Sequence, residues 1–139
     1  MRLVGLALCA ALVGCAGGEG SATPKVCSQP TPTRDLQEPP PDVPIDDYGT
    51  QVEGEVADDY LNAKVVSEDL IVEIDPSLQR SLVDAGYEII GHDNEGFEAE
   101  IFFRRGADTV GTIFMKEGPC DGQVTIDLLY TTPSLAEER

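Results

Sequence analysis

The chain has 139 residues, with 26 acidic against 9 basic side chains and a formal net charge of −17 with its lone histidine neutral. That length bounds it to one small domain with attachments. That charge excludes general nucleic-acid binding, because a phosphate backbone needs Lys and Arg to release its counterions, and it opposes electrostatic docking on anionic lipid headgroups. At 41% hydrophobic the chain is too apolar to be an acidic disordered tail throughout.

At the N-terminus one cation, Arg2, precedes an apolar run from Leu3 to Val13. The run has the length of a signal-peptide hydrophobic region and is too short to span a bilayer as a helix. It ends in Leu12-Val13-Gly14-Cys15, and these four residues resemble the lipobox of bacterial lipoproteins. The resemblance covers the first 15 residues only. It implies a signal peptide over 1–14, cleavage between Gly14 and Cys15, and a diacylglyceryl thioether on Cys15. Cys9 follows Leu8, which is too bulky for the small residue expected before a cleavage site. The plainer alternative is a secretory signal cut near Ala16. Acyl chains contribute about 0.8 kcal/mol per buried CH₂, and stable anchoring takes more than one. A lipoprotein cysteine carries at least two. The implied location is the cell envelope, on the extracytoplasmic side. Ala16 in place of Asp implies sorting to an outer membrane where the source has one.

Residues 15–47 read as the lipidated cysteine and a linker. Seven of the ten prolines lie between Pro24 and Pro44, and Pro39-Pro40-Pro41 favours extended polyproline II. Apolar residues are too sparse here to offset the entropy of ordering, so the stretch is expected to be a disordered tether. Residues 48–67 are ambiguous. Gln51 to Val56 alternates weakly, as an edge strand does, and Asp58-Asp59 could cap a short helix through Val66.

From Leu70 the pattern sharpens. Leu70 to Ile74 reads as a β-rich run and a possible fifth strand, and Asp75-Pro76 as an N-cap with Pro at the first helical position. The expected helix covers 76–85, with Leu78, Leu82 and Ala85 on one face and Gly86 as its stop. Four strands follow. They start at Tyr87, at Phe97, at Thr109 and near Val124, with turns at Asp93–Gly96, Arg105–Asp108 and Gly118–Gly122. Such short loops make antiparallel neighbours. The expected fold class is α+β: a short helix packed on a four- to five-stranded antiparallel meander, after the tether. The domain spans 48–133 and a polar tail 134–139. One helix followed by a meander is similar in order to cystatin-like and PepSY-type domains, a likeness of topology that carries no function.

Removal of Cys9 and acylation of Cys15 leave Cys27 and Cys120, a pair expected to form a disulfide in an oxidising compartment. No CxxC occurs and His92 has no histidine partner, so zinc is not expected. The acids of Asp93–Glu100 lack the spacing of an EF-hand loop, and calcium binding stands as an alternative function. No nucleophile elbow, zinc-protease motif or phosphate loop occurs, which leaves a small hydrolase as a distant second alternative. No metal, cofactor or catalytic residue is assigned. The expected function is a non-enzymatic, lipid-anchored envelope protein that binds another envelope component. Phe102, Ile113, Met115 and Leu129 are expected on the sheet face opposite the helix, either as an exposed partner surface or covered by residues 48–67.

Overall fold

The computed structural model describes residues 27–131. In chain order these form a 3₁₀ turn (Ile45–Tyr48), β1 (Thr50–Ala57), β2 (Tyr60–Ser67), α1 (Ile71–Asp84), β3 (Glu88–Asn94), β4 (Glu98–Arg105), β5 (Thr109–Glu117) and β6 (Val124–Thr131). The six strands make one antiparallel sheet in the order β1-β2-β6-β5-β4-β3. The α+β class and the meander of the last four strands follow the alternation in the sequence. The number of strands does not. Residues 50–67 form a hairpin turned at Asp58-Asp59, and β2 zips onto the outer side of β6 from Leu61↔Tyr130 to Ser67↔Val124. The short helix expected from Asp58-Asp59 is therefore a strand. Residues 48–67 extend the sheet instead of covering a face of it.

The helix starts earlier than its sequence signals suggest. Residues 71–74 are its first turn, not a fifth strand, because Ile71, Ile74, Leu78 and Leu82 recur at helical spacing and all are buried. Packing of that stripe outweighs the β preference of Ile and Val. Asp75-Pro76 thus lies inside the helix rather than at its cap. Pro76 leaves the Val72 carbonyl without its helical donor. Val72 is well exposed, so water can take that carbonyl.

One helix cannot cover this sheet. Six strands at about 4.8 Å spacing span about 24 Å, whereas a helix with side chains is about 10–12 Å across. α1 packs on β3, β4 and β5, and the 3₁₀ turn packs on β2. The other half of the core face is covered by the Pro-rich segment. Pro39 is buried, and Val43 and Ile45 have no exposed surface. Tyr48 Oη donates to Ser77 Oγ of α1 at 3.0 Å. The boundary expected at residue 48 therefore moves upstream. The segment placed in the linker is a strap, and part of it is core.

The strap also shields an edge. Thr33 N–H donates to the Val52 carbonyl and Gln37 N–H to the Gly54 carbonyl, so residues 33–37 run beside β1, whose outer backbone groups would otherwise be open to pairing. At its start Cys27 stands at disulfide distance from Cys120 in the β5–β6 turn, with Cα atoms 5.7 Å apart. At its other end Asp42 pairs with Arg105, which lies 4.4 Å over the Tyr87 ring.

Candidate functional site: the open face of the sheet

Strand parity decides which side chains reach solvent. Gly111 of β5 sits under Phe103, and a Cβ there would fall 2.2 Å from the ring. That contact places Gly111 on the helix side, and Ile113 and Met115 with it. Both are fully buried. Of the four residues expected on the opposite face, the structure puts Phe102 and Leu129 there and withdraws Ile113 and Met115 into the core. β5 is apolar on both faces, so alternation alone could not choose between them.

Two cross-strand rows organise the open face. The first runs Gly91, Phe102, Thr112, Leu129, Asn62, Glu55 from β3 to β1. It carries no charge until its end. Phe102 is 38% exposed and Leu129 42%. Beyond this row, towards the β4–β5 turn, Ile90, Val110 and Tyr60 are also exposed, so the apolar surface is continuous. The second row runs Asp93, Glu100, Phe114, Asp127, Lys64, Glu53. It sets four carboxylates against one ammonium. Lys64 is already engaged, 3.1 Å from Glu53 and 3.5 Å from Asp127. Its hydrogen bond to Glu53 pushes its pKa up, against a smaller opposing effect of burial. Lys116 lies 5.9 Å from the Phe114 ring centroid, a cation on the face of that ring. A groove of about 930 Å³ lies over the part of these rows that runs from β5 to β1, where Leu129, Phe114, Asp127 and Lys64 line it with Arg34 and Asp35 of the strap, and Phe102 and Glu100 lie outside it. None of Phe114, Asp127, Lys64 or the strap wall was singled out from the sequence. The register that aligns them depends on β2 joining β6.

A second polar cluster lies on the helix side. Asp75, 3% exposed, accepts hydrogen bonds from Gln79 Nε2 at 2.9 Å and Asn94 Nδ2 at 2.6 Å, and His92 Nε2 sits 2.9 Å from its Oδ2. A bulge at Ile90 delivers these partners. The register slips between Ile89 and Gly91, and this turns His92 and Asn94 towards α1. Both contacts of His92 with Asp75 use the same ring nitrogen. The arrangement orients β3 on α1. Asn94, in the turn weighed as a calcium ligand, spends its amide on Asp75 and its Oδ1 on the Gly96 N–H. Among the described residues no group of three or more His, Cys, Asp or Glu is arranged to hold a metal ion.

Cys15, the expected lipidation site, lies outside the described residues, as does the tail 134–139. Among the described residues no helix is long and apolar enough to cross a membrane. No protein-family model matches the chain, and no curated protein matches it.

Proposed function

We propose that the chain is a lipid-anchored, extracytoplasmic protein of the cell envelope whose small domain is a non-enzymatic binding module. The observation that carries the binding reading is the uncovered row of Phe102 and Leu129 at the centre of the sheet, where a lone domain gains nothing from exposing large apolar groups. The lipobox-like Leu12-Val13-Gly14-Cys15 supports the anchor. The Cys27–Cys120 pair at disulfide distance fits an oxidising compartment. The binding partner on this reading is another envelope protein, with the membrane held through acyl chains on Cys15.

Metabolic labelling with a fatty-acid probe tests the anchor. The native chain should take up label and partition with membranes, and Cys15→Ala should block both lipidation and processing. A Cys15→Ala chain that still labels and partitions with membranes sinks the reading.

A further inference from the structure

We infer that the open face takes a cationic amphipathic protein segment laid across the strands, its apolar side on the Phe102–Leu129 row and its Lys or Arg side on the Glu100–Asp127 row. This inference rests on the binding-module reading. The open face asks for complementarity of two kinds. The uncharged row and the acidic row are neighbours, two residues apart along each strand, or about 7 Å. A ligand matching one row alone would leave the other badly served. An apolar partner would desolvate Glu100 without pairing it, and Asp127 with only a share of Lys64, which is costly. A purely basic partner would leave Phe102 and Leu129 wet. A segment with both sides serves both rows at once, and the groove at their Leu129 and Asp127 end gives it a seat.

A second copy of the chain is the poorer occupant, because it brings the same net charge of −17 and the same acidic row. The strap supports the direction of approach. It closes the β1 edge, so a partner meets side chains on the face rather than free backbone at that edge. Phe114 stands between Glu100 and Asp127 in the register of the row, with Lys116 5.9 Å from its ring centroid. An incoming cation there meets acids on both neighbouring strands.

The test uses the full chain carrying Cys15→Ala, so that no acyl group competes for the probe. The probe is a synthetic Leu/Lys amphipathic helical peptide of about 18 residues, long enough to cross a sheet about 24 Å wide. Its scrambled isomer has the same composition and charge and lacks the two-sided pattern. Calorimetry should give one site for the patterned peptide and at least tenfold weaker binding for the scramble. Leu129→Ser should weaken the patterned peptide about tenfold without changing charge. Glu100→Gln with Asp127→Asn should weaken it similarly and flatten its salt dependence. Should Leu129→Ser fail to fold, Phe102→Ser makes the same reading at an exposed position. Equal affinity for the two peptides reduces the effect to bulk charge and overturns the inference. So does binding that ignores the face variants, or a dimer in sedimentation that Leu129→Ser dissolves. Labelling of Cys15 in the native chain is read separately. A labelled chain whose face ignores the probe overturns this inference and leaves the anchored module standing.

Discussion

Asp75 is the one charged side chain buried in the core among the described residues, and its carboxylate is satisfied by Gln79, His92 and Asn94. Hydrogen bonds to a charged group contribute about 1.5–3 kcal/mol each, but exposed partners recover part of that from water. Asp75→Ala should therefore lower unfolding free energy by about 2–3 kcal/mol, read as a lower urea midpoint, and Asp75→Asn by less. Tyr87 is the second informative residue. Burial first, then the hydrogen bond it shares with Tyr130, holds its phenol well above the ordinary value of 10.0. The unfolded chain releases this proton near pH 10 while the folded one retains it. Stability thus falls as pH rises beyond about 10. The decline in urea midpoint between about pH 9 and pH 11 should be shallower in Tyr87→Phe. Equal declines would remove Tyr87 from the account. Neither role was legible in the sequence. Asp75 before Pro76 imitates a helix cap, and the partner set of His92 depends on a bulge at Ile90 that nothing in Ile89-Ile90-Gly91 announces.

The elements read most easily are those with one apolar face. Ala99, Ile101 and Phe103 alternate with Glu98, Glu100 and Arg104, and β6 shows the same division up to Leu129. β5 is apolar on both faces, and its parity rests on the Gly111–Phe103 contact, which is tertiary. The strap was opaque for a different reason. Its two buried aliphatic residues, Val43 and Ile45, stand among prolines and acids, and their value appears only once the width of the sheet is known. Gly54 carries the mark of that packing. A Cβ there would fall 2.2 Å from the Gln37 carbonyl oxygen. Gly54→Ala should lift residues 33–37 from the β1 edge while leaving the β3–β6 meander folded. Hydrogen exchange should show faster exchange at the Thr33 and Gln37 amides, with strand β5 unchanged. Protection at both amides equal to the native chain would contradict the strap contact.

At the scale of the molecule, excess negative charge and the strap pull in opposite directions. Like charges on a compact domain repel, and salt screens them. The melting temperature should rise between low and moderate salt, and a flat or falling value would count against self-repulsion. A Cys27–Cys120 bond closes a separation of 93 residues, for which loop-closure entropy sets a stabilisation of at most about 4–5 kcal/mol. Cys27→Ser with Cys120→Ser should melt earlier and exchange faster along the strap. The bond also limits geometry. Eleven residues separate Cys15 from Cys27, and no such stretch extends beyond about 40 Å. A chain lipidated at Cys15 and bridged at Cys27 would therefore hold the β5–β6 turn within about 40 Å of the membrane surface.

The anchored module is tested most directly by the mass of the protein extracted from membranes, followed by peptide mapping without reduction. The extracted chain should begin at Cys15, carry a diacylglyceryl group there and yield linked peptides containing Cys27 and Cys120. A membrane-extracted or secreted chain that begins elsewhere, with Cys15 absent or unmodified, would contradict the anchored module.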